Sequence, residues 1–376
     1  ETRYWRDWSS GVCASGPATG DSTFTIPDTG GTINDGGNLT LDTGGSVSAA
    51  GAFSLLVENY DFSGNTPGHI VNGGNISLTT GGNLSAQSVI ALINNRSGGQ
   101  IGSPVSLTLS IGGVLTTSGD STDPFGFPES LSVTISTRFD NTMGNPALAS
   151  IVGGDATLTV DADSASIGGR LSTIISNSGS TLNGNALLSL GITHDVSIQG
   201  EADIEILNDA DSGTPLGGIL HGSATLQFSS NNFTANALFT QIDNRDGAVF
   251  DSNAPLTFDL TGSFAIPGTN PGDPGFDSTV PGEADLLISN QKRGSSQDSA
   301  TSGGTIGGNA LIQLSATSVS TAGLLNVQID NFSNGSGSTG GRIGGNAMIS
   351  LNILAGLTTQ GGALFNIANQ NNGGTS

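Results

Sequence analysis

Basic side chains are nearly missing from this chain. Lys292 is its only lysine, Lys and Arg together number 9 against 31 Asp and Glu, and the net charge is −22. Binding nucleic acid or an anionic membrane surface needs clustered Lys and Arg to displace counterions, so neither partner is expected. The single cysteine, Cys13, cannot form an internal disulfide. No run approaches the roughly 18 to 20 apolar residues that a membrane helix requires, so membrane insertion is not expected either. The chain opens on Glu1 without a secretory leader, which we read as a mature or excised segment. Aromatic residues are 5% and charged residues 11% of the composition, too few for a globular core of large side chains ringed by charge.

What is abundant is glycine, 59 residues, with small aliphatic residues in alternating runs. Alternation is a strand signal, and with 35% hydrophobic residues placed at regular intervals the chain can bury a long thin core and is not disordered. The organising unit is clearest from Ile306 to Asn331: I-G-G-N-A-L-I-Q-L, then S-A-T-S-V-S-T-A-G, then L-L-N-V-Q-I-D-N. It reads as three short strands joined at corners. Thirty-seven residues on, the opening returns as Ile343-Gly344-Gly345-Asn346-Ala347 and the ending as Phe365, Ile367 and Asn369. A repeat of this length points to stacked units and not to separate domains.

The opening phrase, an apolar residue followed by apolar residues six and eight positions later, occurs nine times. Its first residues are Ile33, Ile70, Ile101, Val152, Leu182, Leu220, Phe250, Ile306 and Ile343, separated by 37, 31, 51, 30, 38, 30, 56 and 37 residues. The closing phrase places an Asn at the inward position after the apolar pair: Asn59, Asn95, Asn177, Asn208, Asn244, Asn290, Asn331 and Asn369. Only the third unit departs, with Thr137. The two longest units take their extra residues near 120–130 and 267–282, between the second and third strands, so both insertions leave from one corner.

This spacing predicts an all-β parallel β-helix, or β-solenoid, of about nine three-stranded turns in residues 29–376. At about 4.8 Å per turn the rod would be roughly 40 Å long. Equivalent residues then stack into ladders, aliphatic inside and asparagine at one corner, where each amide donates to one turn and accepts from the other. One turn per repeat is preferred over two smaller ones because the Asn recurs once per unit. Residues 1–28 do not fit the repeat and hold Tyr4, Trp5 and Trp8; Phe24 and Ile26 look like a first short strand. We read this segment as a cap or as a piece that docks on a neighbouring molecule, with Tyr4, Trp5, Trp8, Phe24 and Ile26 as the docking candidates.

The phrases G-G-N-L-T-L-D-T-G-G-S-V-S-A at Gly36–Ala49 and G-G-N-I-S-L-T-T-G-G-N-L-S-A at Gly73–Ala86 resemble the repeat regions of filamentous-haemagglutinin-like and autotransporter-type secreted proteins. The resemblance implies a right-handed β-helix exposed on, or released from, a bacterial cell, with a structural or adhesive role. The units here are longer and more variable than that family's turns, and no secretion domain is visible.

Chemistry has few candidates. His69, His194 and His221 belong to different units, each near a corner, so neither a nucleophile triad nor a zinc site is expected. Calcium is the better metal, with Asp209 and Asp211 on a Gly-bearing turn and Asp161 and Asp163 at a strand end, although neither stretch completes a calcium loop. No other cofactor is expected. A polysaccharide lyase or hydrolase would draw on Asp120, Asp123, Glu129, Asp273, Asp277, Lys292 and Arg293, which form no recognised pair. The expectation is therefore a non-catalytic extracellular, cell-surface structural protein, a subunit of a head-to-tail homopolymeric fibre. Behind it stands a secreted adhesin that binds a receptor or glycan through its corner loops, and behind that the carbohydrate-active enzyme.

Overall fold

The structure is a computed structural model that describes residues 2–4, 20–28, 31–59, 68–119, 129–138, 149–210, 217–268, 281–291, 303–331 and 340–369, with only the backbone of 2–4 and 129. Every strand pairing among them is parallel. The strands form three sheets of 11, 9 and 14 strands, the first two traversed in coil order. The chain is a parallel β-solenoid of nine coils, one per sequence repeat.

The register is the one that the apolar spacing demands. Ile33, Ile70, Ile101, Val152, Leu182, Leu220, Phe250, Ile306 and Ile343 pair in succession down the nine-stranded sheet. The residues six and eight positions later form two more columns; one runs Leu41, Leu78, Leu109, Val160, Leu190, Phe228, Phe258, Leu314, Leu351. A third-face column runs Val57, Ile93, Ile135, Ile175, Ile206, Ile242, Ile288, Ile329, Ile367. A one-residue slip would turn all of these columns outward, so burial itself enforces the alignment. From coil 2 to coil 8 the columns are buried throughout, whereas Ile33 and Leu39 in coil 1 and Ile343, Ile349 and Leu351 in coil 9 are only partly buried.

The partition of each coil differs from the sequence reading in two respects. The opening phrase is not one strand: it breaks after two residues, so that Thr305–Ile306 belongs to the nine-stranded sheet and Ala310–Thr321 to the 14-stranded one. Conversely, the first and second phrases merge into a single bent strand in coils 3, 4, 8 and 9, as in Val105–Thr117 and Ala156–Ile167. The bend is made by a register shift, between Ile111 and Val114 and again between Ala316 and Ser318. A bulge lets the strand turn a corner without leaving its sheet. The Gly-rich pairs act at the other corner, where the chain does change sheets.

The insertions predicted near 120–130 and 267–282 fall largely outside the described residues. The feet of the second one meet: a Cβ on Gly268, which has φ of +60°, would lie 2.7 Å from the Gly282 nitrogen. Glycine is required there for both close approach and backbone conformation. Inside coils 6 and 7 the column residues are enlarged to phenylalanine. Phe228 stacks on Phe258 at 4.8 Å, Phe233 on Phe264 at 5.6 Å, and Phe228 meets Phe233 edge-on at 5.0 Å. Stacking of equivalent rings is what coil-on-coil register produces, and each such pair adds about 0.5–1.5 kcal/mol beyond area burial.

Adjacent leucines in coil 5 test the alternation. Leu188 is fully buried in a column while Leu187 faces outward and is half-buried. Leu188→Ala is expected to cost about 2–5 kcal/mol, and Leu187→Ala well under half of that, by reversible urea unfolding.

Candidate functional site

The polar groups of this molecule are organised by stacking. Asn59 Nδ2 donates to Asn95 Oδ1 at 2.7 Å. After an interruption at Thr137, which pairs opposite Asn95, Asn177 Nδ2 donates to Asn208 Oδ1 at 2.8 Å. The same bond continues to Asn244 at 2.9 Å, Asn290 at 2.8 Å, Asn331 at 2.8 Å and Asn369 at 2.9 Å. The amides of Asn59, Asn95, Asn177, Asn208, Asn244 and Asn290 also donate to the backbone carbonyl of a short strand, for example Asn244 to Thr305 at 2.9 Å and Asn290 to Arg342 at 3.1 Å. The asparagines thereby tie the ladder-face strand of one coil to the next coil across an otherwise buried corner. The column leaves no room for a side chain opposite it: a Cβ on Gly304 or Gly341 would lie 2.5 Å from Asn290 Oδ1 or Asn331 Oδ1.

The ladder has a direction, because every donor points toward the higher-numbered coil. Its first acceptors are accordingly left over. Asn59 Oδ1 and Asn177 Oδ1 are buried and lack a described partner. The residue in register ahead of Asn59 is Asp28, whose carboxylate accepts from the backbone N–H of Gly31 and His69 and has no proton to give. Burial pushes Asp28 above the usual carboxylate range, against the opposing pull of those bonds.

In coils 4 to 9 a second, exposed ladder runs along the corner after the opening strand, three residues beyond the opening apolar residue. Asn185 N–H donates to Asp155 Oδ1 at 2.7 Å and Ser223 N–H to Asn185 Oδ1 at 2.9 Å. Asn309 N–H donates to Asn253 Oδ1 and Asn346 N–H to Asn309 Oδ1, both at 2.8 Å. The Asn of the Gly-Gly-Asn phrase is thus a side-chain splint for the next coil's backbone, a role the sequence reading missed although the recurrence of the Asn signalled it.

The calcium candidates lie at two separate places in the fold. Asp209 accepts from Ser178 Oγ at 2.7 Å and lies 3.8 Å from the Arg245 guanidinium; Asp211 is outside the described residues. Asp161 and Asp163 stand near a bend of one strand, Asp163 bound to His194 Nδ1 at 2.9 Å. No cluster of three or more His, Cys, Asp or Glu able to hold a metal occurs among the described residues. His221 pairs similarly with Asp251 at 2.8 Å, and His69 sits in the first strand of coil 2, so the three histidines remain apart. Of the lyase candidates only the backbone of Glu129 is described. Phe24 and Ile26 lie in the strand Ser22–Asp28, half-buried, with Phe24 tilted on Phe53 at 6.0 Å. Trp5 and Trp8 and the side chain of Tyr4 lie outside the described residues.

Sequence reading also missed a buried ionic patch on the outward side of the ladder-face sheet. Arg170 pairs with Glu201 at 2.9 Å, both side chains at or below 5% exposure. Arg245 pairs with the fully buried Asp243, and Gln241 donates to Glu205. These residues alternate with the inward column and read as solvent-facing, so no local signal marks their burial. On the same face Asp285 is pushed up to about 6 by burial, assisted by the charges of Glu283 and Glu201 and opposed by the amide of Asn326.

Comparison with protein-family models, with curated proteins and with solved structures returns no match.

Two sets of variants test the polar architecture. Asn244→Leu strips partners from Asn208, Asn290 and the Thr305 carbonyl and is expected to cost about 3 kcal/mol or more in urea unfolding. Thr137→Asn supplies the missing rung between Asn95 and the orphaned Asn177 Oδ1, and is expected to raise the midpoint, by about 1 kcal/mol. For Asp285 the folded chain holds its proton more tightly than the unfolded chain, so stability falls as pH rises from near 4 through about 6. Asp285→Asn should remove that part of the loss, on the order of 1 kcal/mol, seen as a smaller drop in thermal midpoint between pH 4 and pH 7 than in the parent.

Proposed function

We propose that this chain is a non-catalytic, extracellular structural protein, a subunit of a cell-surface fibre built by head-to-tail stacking of solenoids. The observation that carries the reading is the state of coil 9. Its inward columns are the only ones in which large apolar residues stand widely open, with Phe365 42% and Ile367 48% exposed, among the described residues. Ile349, Leu351, Phe365, Asn366 and Ile367 line an open concavity on that end. A face of this kind, edged by unpaired strand donors and acceptors, is a template for another parallel coil. A contact between two different ends of a molecule does not close on itself and propagates as a filament.

The composition supports an extracellular setting, with one lysine and repeats rich in Ser, Thr, Asn and Gly. So does the resemblance of Gly36–Ala49 and Gly73–Ala86 to secreted bacterial repeat proteins. A rod whose polar side chains are spent on coil-to-coil bonds is suited to bearing load and to resisting proteolysis, since the backbone of each interior strand is paired on both sides.

Negative-stain electron microscopy of the purified chain, after concentration at neutral pH, is expected to show unbranched filaments as narrow as a single solenoid. Particles of monomer size at every concentration would refute the fibre.

A further inference from the structure

The two ends of the solenoid are not equivalent, and one sheet distinguishes them. The ladder-face sheet has 11 strands where the nine-stranded sheet has one per coil. Its two additional strands, Ser22–Asp28 and Thr2–Tyr4, lie on the coil 1 side, paired in parallel with each other and with Ala52–Asn59. Among the described residues the outermost strand at one edge of this sheet is therefore Thr2–Tyr4, and at the other edge it is Ala363–Ala368 of coil 9. From the fibre reading above, on which this depends, we infer that the joint between subunits is made in this sheet: Ala363–Ala368 of one copy pairs in parallel with Thr2–Tyr4 of a second copy, continuing the sheet from one subunit into the next.

Two observations select this joint. The first is direction: all strands of the sheet are parallel, so only an N-terminal edge laid on a C-terminal edge preserves the register that the inward columns require, whereas like ends would meet antiparallel. The second is charge. Residues 1–59 carry seven Asp or Glu against Arg3 and Arg6, a net of −5, while residues 331–376 carry Arg342 and no acid, a net of +1. Two coil 1 ends would repel; a coil 1 end and a coil 9 end attract.

The test blocks each end separately in the full chain. Phe365→Lys with Ile367→Lys places two charges in the coil 9 columns, and a small folded domain fused directly before Glu1 obstructs the Thr2–Tyr4 edge. Circular dichroism should show unchanged strand content for both; Ile367→Lys alone is the milder substitute if the pair unfolds. In sedimentation velocity each blocked chain alone is expected to run as a monomer, and their mixture as a two-chain particle that grows no further, because one compatible joint remains. Self-association of the Glu1 fusion would indicate joining through two coil 9 ends and overturn the assignment, as would filaments from the Lys pair. If the unmodified chain forms filaments that neither block affects, only this joint fails. If the unmodified chain forms none, the fibre fails with it.

Discussion

Parallel pairing of each coil with the next, in a register that never slips by one residue, is the constraint from which the other features descend. It places identical positions of successive repeats about 4.8 Å apart, so any residue type that recurs becomes a column. An aliphatic column removes its side chains from water at every interior coil; a phenylalanine recurrence becomes a stack, as at Phe228 and Phe258; an asparagine recurrence becomes a hydrogen-bonded chain. The register cost is shared among nine coils, and slipping one strand would expose a whole aliphatic set. A thin rod with few aromatics can be stable on these terms because its core is long instead of thick.

The same constraint makes polar residues admissible in the interior. An isolated buried Asn would carry an unmet donor or acceptor, at a cost of about 1–3 kcal/mol. In the column from Asn177 to Asn369 each amide answers its neighbour, and those from Asn177 to Asn290 a strand carbonyl as well, so the cost appears only where the column starts or is broken. Thr137 marks one break and Asp28 the beginning. These faults identify the direction of the column, and direction distinguishes the two ends of the rod. The polarity of the rod and the order of its interior are in this sense one feature.

Much of this was legible in the residues because period-two alternation and a fixed six-and-eight spacing survive insertions of any length at the corners. Ile33 through Ile343 could be aligned without coordinates, and so could the asparagines. The corners were not legible to the same degree. Gly-Gly in Ile306-Gly307-Gly308 marks a change of sheet, and the bend near Ala316 does not, yet both interrupt alternation in similar ways. The Asn of Gly-Gly-Asn was visible as a recurrence, but its bond to the next coil's backbone depends on distance between coils and not on sequence order. Least legible was the patch containing Arg170, Glu201 and Asp243: alternation assigns those positions to solvent, yet all three are buried.

Side-chain amide hydrogen exchange tests the stacked column most directly. Asn208, Asn244, Asn290 and Asn331 should keep their side-chain amide protons for as long as the backbone amides of the aliphatic columns, while the exposed Asn72 and Asn185 exchange at once. Rapid exchange at all four ladder positions in the folded protein would contradict the column and, with it, the register on which the rod depends.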